Sequence, residues 1–225
     1  MWLSAEDGQT LRFTLLACTL STLVIFPFGL GAAWLLAKRQ WFGKSIAETI
    51  VTLPLVMPPV ATGLILLKLL GRRSSFGGFF HRHFDLDFVF TWRAVVIAAG
   101  VMSFPLLVRS ARVGFEGVNR RYEEIARTLG AVEWRVFFTI SLPLAARGIL
   151  AGVLLAFARA VGEFGATILV AGNIPGETTT LSLRIYEAVQ LGHDAVAYRL
   201  LFVCVLIAFV TVFAGEMLLR KRKAR

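Results

Sequence analysis

The sequence predicts an all-α protein of the polytopic membrane class, with about five transmembrane helices and short helices outside the membrane. Hydrophobic residues make up 57% of the 225 residues, whereas soluble domains usually contain roughly 45–50%. They gather in runs long enough to cross a hydrocarbon core, which takes about 20 helical residues. The runs are continuous and do not alternate, so helices are expected and a barrel is not.

Five apolar runs have the length of membrane spans. We place them at about 11–37, 49–70, 94–108, 149–171 and 200–219, and we treat 1–225 as a single membrane domain. The segment 180–191 is too short and too polar to span, so we interpret it as a helix or a re-entrant piece at the outer face. The first ten residues hold two acidic and no basic residues, unlike a cleavable signal.

The net charge of +10 predicts an orientation in the membrane. In a soluble protein it would suggest nucleic acid, but here the basic residues flank the spans, so no nucleic-acid partner is expected. The segments 38–44, 109–147 and 220–225 hold fifteen Lys and Arg residues, in shares of three, seven and five. The opposite loops hold six arginines among seven acidic residues. Positive charge marks the cytoplasmic side, which predicts an outer N-terminus and a cytoplasmic C-terminus.

The longest cytoplasmic segment has helical apolar spacing between residues 122 and 140. Gly130 interrupts the pattern and predicts two short helices that meet at a turn. Pro143 fits the start of the following helix. Such amphipathic helices either lie on anionic lipid or insert into a groove on a partner protein. The recurring apolar positions are Ile125, Leu129, Val132, Val136 and Phe137.

The spacing within this segment decides between the two interpretations. It resembles the EAA loop of permease subunits in ABC importers, whose pattern is Glu-Ala-Ala, three residues, Gly, nine residues, Ile, one residue and Leu-Pro. Here Ile125 stands at one alanine position. Further stretches at 102–106, 127–131, 134–138, 162–167 and 173–178 look like the molybdate branch of that family. The matching elements are Glu124-Ile125-Ala126, Gly130, Ile140 and Leu142-Pro143.

This resemblance implies a helical bundle of the type I ABC importer kind in a bacterial inner membrane. It implies a homodimer of permease subunits with two ABC ATPase subunits and a periplasmic or extracellular oxyanion-binding protein. The cargo would be molybdate, with tungstate, sulfate or thiosulfate as alternatives. The residues implied to couple to the ATPase are Glu124, Ala126, Gly130, Ile140, Leu142 and Pro143.

Two charged residues lie inside the fourth predicted span. Arg159 and Glu163 are four residues apart, so they share one helix face. Ionisable groups at this depth are costly and mark functional sites by default. The pair either neutralises itself within the bundle or, together with Pro58 and Pro59 of the second span, lines a pathway for the anion. A cation partly cancelled by its neighbour suits a path from which the ion must leave again.

Other motifs do not indicate catalysis or a bound cofactor. Gly43-Lys44-Ser45 resembles the end of a P-loop, but Lys38 occupies the position that requires glycine. We therefore expect no cofactor and no catalytic residue, with ATP hydrolysed by a partner subunit. An ATPase-independent anion transporter or channel would predict internal repeats and several charged sites, and a membrane enzyme would require a catalytic cluster.

One outer loop contains residue types that bind metals. His81 and His83 lie close in sequence to Asp85 and Asp87. We favour a solvated loop over a metal site, and membrane lipid is the remaining expected partner.

Overall fold

The computed structural model describes residues 4–220, and every regular element in that range is helical, which confirms the all-α prediction. One of these elements is a π-helical turn, Phe137–Ser141. The orientation argument from residues 221–225 lies outside the described residues. The helices are α1 Ala5–Lys38, α2 Lys44–Val56, α3 Pro59–Leu70, α4 Ser75–Phe84, α5 Trp92–Glu116, α6 Arg120–Thr128, α7 Glu133–Val136, α8 Leu142–Val161, α9 Gly165–Ala171, α10 Leu181–Gln190 and α11 Asp194–Arg220.

Four helical segments among the described residues are long and apolar enough to cross a membrane. They are α1, α5, the continuous path Glu133–Val161 and the part Asp194–Met217 of α11. The pair α2 and α3 makes a fifth if the two are counted as one bent span. Large apolar side chains stand exposed along α1 and α11, for example Phe28 and Phe209. Exposed apolar surface of this extent fits contact with lipid.

The fourth predicted span, 149–171, differs from the structure at its C-terminal boundary. The helix α8 ends at Val161, and a new helix, α9, begins at Gly165. The Glu163 carboxylate accepts a hydrogen bond from the Ala166 backbone N–H at 2.9 Å. It therefore satisfies a donor that the first turn of a helix leaves free, and the chain restarts its helix here. The hydropathy of the sequence does not predict this break, because the residues on both sides of it are apolar.

The N-terminal boundary of that span also differs. The second short helix of the loop is not separate, because a helical path runs without interruption from Glu133 to Val161. A proline within a helix lacks a donor and its ring meets the carbonyl four residues earlier, which for Pro143 belongs to Thr139. The wider π-helical turn Phe137–Ser141 lies directly before Pro143. We attribute the continuity of the helix to this turn, which relaxes the backbone at the proline.

The second predicted span, 49–70, is bent by 110° where α2 meets α3. Pro59 is the first residue of α3, a position that a proline favours. Beyond the bend, α3 crosses α9 closely, since a Cβ added to Gly63 would lie 2.9 Å from the Ala166 Cα. The two interrupted helices therefore pack against each other.

The central helix α5 packs against α1 and α8. A Cβ added to Gly148 of α8 would lie only 2.6 Å from the Gly114 Cα of α5. Small residues of this kind let membrane helices approach closely. The crossing fixes the position of α8, and therefore of the loop that precedes it, relative to the bundle.

Ion pairs tie the two ends of α1 to different short helices. At one end, Lys38 of α1 contacts Glu123 of α6. At the other, Glu6 of α1 contacts Arg184 of α10 at 2.8 Å. The segment that we expected at the outer face, 180–191, is the short helix α10.

Candidate coupling surface and intramembrane ion pair

The loop between α5 and α8 folds into α6, a tight turn and α7. The Asn119 side chain accepts a hydrogen bond from the Arg121 N–H at 3.0 Å and caps α6. Gly130 forms the turn with φ +85°, a backbone conformation that favours glycine. Arg127 and Glu133 pair across the turn at 2.7 Å.

The apolar face of α6 points away from the rest of the chain. Tyr122 and Ile125 are more than half exposed, and Leu129 is 83% exposed. Together with the π-helical turn and the start of α8, this face forms an open groove of about 550 Å³. Its lining is Tyr122, Ile125, Ala126, Leu129, Thr139, Ile140, Pro143 and Leu144. We call this groove and the side chains that line it the coupling surface.

The structure brings together some of the sequence-predicted coupling residues and separates others. Ala126, Ile140 and Pro143 all line the coupling surface. Leu142 is half-buried and packs inward against the core of the bundle. Glu124 is exposed and lines a different, polar pocket of about 250 Å³ beside it.

Sequence reasoning missed the residue that attaches α6 to the bundle. Glu123 is buried, and its carboxylate lies 3.0 Å from the Lys38 Nζ. The Ser141 hydroxyl donates to the same carboxylate at 2.7 Å. An amphipathic helix normally buries its apolar face, whereas α6 buries a charged residue and exposes its apolar side. The signal was present in the sequence only as an acidic residue that flanks the apolar stripe.

The second candidate site is the ion pair near the end of α8. Arg159 Nη1 lies 2.7 Å from Glu163 Oε2, as the four-residue spacing predicted. The Glu163 side chain is 2% exposed and that of Arg159 is 26% exposed. The pair therefore joins a carboxylate fixed at the start of α9 to a guanidinium that still reaches open space.

The predicted pathway prolines lie at the bend between α2 and α3. Pro58 and Pro59 are both exposed. A Cβ added to Gly165 would lie 2.7 Å from the Pro59 Cβ, so Pro59 packs against the beginning of α9. The two helix breaks, one at the prolines and one at Glu163, are thus neighbours.

The segment expected to be a His-containing loop is partly helical, since His81 and His83 lie in the last turn of α4, and its charged residues form ion pairs. Asp87 binds Arg72 through both carboxylate oxygens and lies 3.2 Å from His81. The hydrogen bond from Arg72 lowers the pKa of Asp87. Within residues 4–220, no group of three or more His, Cys, Asp or Glu side chains is arranged to hold a metal ion.

Comparison with known families decides the class of this fold. A family model described as the inner membrane component of binding-protein-dependent transport systems matches residues 25–223. The chain belongs to this family. With its membrane-length helices, it is a multi-pass inner membrane protein and a transport component. The predicted membrane location and the predicted role in transport are both confirmed.

Individual relatives show the same relationship. The molybdenum transport system permease protein of Escherichia coli strain K12 is 44% identical over 226 residues, covering 100% of this chain and 99% of that protein. A sulfate transport system permease protein of Synechocystis is 34% identical over 210 residues, covering 93% and 76%. In a solved bacterial alginate ABC transporter, in complex with an alginate pentasaccharide-bound periplasmic protein, a chain shares the fold with a TM-score of 0.74. It is 20% identical to this chain, and the match covers 98% of this chain and 81% of that one.

Proposed function

We propose that this chain is the membrane-spanning subunit of a molybdate ABC importer, powered by a separate ATPase subunit. The exposed coupling surface is the observation that carries the ATPase part of the proposal. A continuous apolar patch on a loop outside the membrane marks a contact surface. The cargo follows from the higher identity to a molybdenum permease, 44%, than to a sulfate permease, 34%.

The coupling surface suits a protein partner better than a lipid surface. Its apolar groove is shared by α6 and the start of α8, and small Ala126 leaves room within it for an inserted side chain. Apolar anchors spaced along a helix are the usual way in which a helix docks in a groove. We infer that Gly130, Ile140, Leu142 and Pro143 keep the shape of this surface, and that Glu124 meets the ATPase at its polar edge.

The assembly we propose is a homodimer of this chain with two ATPase subunits inside and a binding protein outside. One copy offers few spans to enclose a pathway, so we place the pathway between two copies. The N-terminus would lie outside and the C-terminus in the cytoplasm. Binding of ATP would close the ATPase pair, move both coupling surfaces and open the pathway outward, and hydrolysis would return it inward.

The ion pair and the prolines supply the pathway in this proposal. Arg159 is partly exposed, its partner Glu163 lies at the helix break next to Pro59, and its guanidinium would attract an oxyanion. Glu163 neutralises part of that charge at 2.7 Å. A weak site of this kind lets an ion enter and also leave.

Uptake in proteoliposomes tests the proposed function. The chain is reconstituted with its ATPase and its binding protein, and labelled molybdate is supplied outside with a hundredfold excess of sulfate. We expect ATP-dependent uptake that sulfate does not suppress, because the binding protein and pathway are matched to molybdate. Uptake without the ATPase, or suppression by sulfate, would contradict the proposal.

Replacing Arg159 tests the pathway assignment. In Arg159→Ala the positive potential beside the bend is lost, so we expect molybdate uptake to fall by roughly tenfold, the effect of about 1.4 kcal/mol at one site. Arg159→Lys is the matched control, since it keeps the charge and should retain most uptake. Membrane abundance and ATPase binding are measured for both variants, and equal uptake by the two at equal abundance would argue for a packing role.

Replacing Gly130 tests whether the coupling surface docks to the ATPase. A non-glycine residue with left-handed backbone costs about 1–2 kcal/mol, so Gly130→Ala should distort the turn and weaken ATPase binding by roughly tenfold. Gly43→Ala is the control, because Gly43 has φ +87° and an added Cβ would lie in open space, as it would at Gly130. Affinity for the purified ATPase is measured for both variants. Equal loss in the two would show a general stability effect.

A further inference from the structure

The attachment of α6 to the bundle is unusually narrow. Of its nine residues, all of which the structure describes, only Glu123 is buried. The apolar side chains of α6 in the coupling surface, Tyr122, Ile125 and Leu129, are more than half exposed and make little buried contact with the bundle. Whatever motion α6 makes must therefore pass largely through the surroundings of Glu123.

Three separate segments meet at this carboxylate. Lys38 is the last residue of α1, and its Nζ lies 3.0 Å from Glu123 Oε1. The same ammonium donates to the Val118 carbonyl, between α5 and α6, at 3.2 Å. Ser141, the last residue of the π-helical turn, donates to Glu123 Oε1 at 2.7 Å. One oxygen thus links α6 to α1 and to the start of α8.

This contact restricts how α6 can move relative to the bundle. Both charged side chains are nearly excluded from solvent, with exposed fractions of 9% for Lys38 and 5% for Glu123. A buried charge is tolerated only when it is paired and hydrogen-bonded, so α6 cannot slide or rotate without leaving an unpaired charge. An apolar contact of the same size would permit such sliding.

We propose that Lys38, Glu123 and Ser141 act as positioning residues that transmit the movement of the coupling helix to α1 and α8. We call them the α6 anchor. This inference rests on the proposed function, since it needs an ATPase that moves α6. It assigns the transmission to a buried polar contact of α6 that lies outside the coupling surface.

A second ion pair in the same loop serves as a comparison. Arg127 and Glu133 also lie 2.7 Å apart, but they are 42% and 51% exposed. Exposed pairs contribute little, because water screens them and their side chains lose freedom when paired. The loop therefore offers a buried pair, Lys38 with Glu123, and an exposed pair, Arg127 with Glu133, for comparison.

The variants are chosen to remove charge with little change of shape. Glu123→Gln and Lys38→Met each remove one charge of the α6 anchor, and Glu133→Gln removes the exposed acid as the matched control. The exchanged pair Lys38→Glu with Glu123→Lys tests for rescue. Ser141→Ala removes one hydrogen bond and serves if the charge variants fail to assemble.

The measurement is the number of molybdate ions transported per ATP hydrolysed in proteoliposomes that contain the full complex. We expect Glu123→Gln and Lys38→Met to lower this ratio by roughly tenfold, within the range reported for coupling residues, while ATP hydrolysis continues. A residue that served only stability would lower hydrolysis and transport together. Ser141→Ala should lower the ratio less, by about threefold, and the exchanged pair should recover part of the loss.

Two outcomes would overturn the inference. One is an unchanged ratio in Glu123→Gln, or in Ser141→Ala if the charge variants do not assemble. The other is an equal loss in Glu133→Gln. Failure of the proposed function is distinguishable, since the unaltered chain would then show no ATP-dependent uptake.

Discussion

The buried ion pair between Lys38 and Glu123 determines how the end of the bundle that carries α6 is built. It holds α6 with its charged side inward, and for that reason the apolar side faces outward. Removing one partner of a buried pair costs about 3–5 kcal/mol, whereas a well-packed apolar replacement of both is often neutral. The pair is therefore better understood as fixing the geometry of α6 than as stabilising the fold. The exposed coupling surface is a direct consequence.

A second buried carboxylate organises the opposite part of the chain. Glu163 lies between the end of α8 and the start of α9, where it pairs with Arg159 and accepts a hydrogen bond from Ala166. Pro59 lies against the start of α9 through close contact with Gly165. Two helix breaks are in this way held side by side. Interrupted helices are tolerated at membrane depth where neighbouring helices or a cavity satisfy the freed backbone groups, and here the carboxylate does so.

Much of this architecture could be predicted from the sequence, because hydropathy and spacing are local properties. The apolar runs gave an all-α fold with about five spans, Gly130 gave the turn, and the four-residue spacing of Arg159 and Glu163 gave their contact. The boundaries of the fourth span could not be predicted. Its start depends on a π-helical turn before Pro143, and its end depends on a side chain that caps the next helix. Neither changes the hydropathy.

The attachment of α6 could not be predicted for a different reason. Lys38 and Glu123 are 85 positions apart in sequence, and each alone is an ordinary charged residue at the edge of a span or helix. Only the packing of α1 against α5 and α8 brings them together. The motif that resembles the EAA loop drew attention to Glu124, which proves to be exposed, while its neighbour Glu123 makes the buried contact.

The most direct test is the distance between α6 and α1 in the assembled complex, measured by double electron–electron resonance. Spin labels are placed at Arg121 on α6 and Leu35 on α1, both exposed, after Cys18 and Cys204 are replaced by alanine. The α6 anchor predicts the same distance distribution in the nucleotide-free and ATP-bound states, because α6 and α1 move together. A shift of the distance between the two states would contradict it.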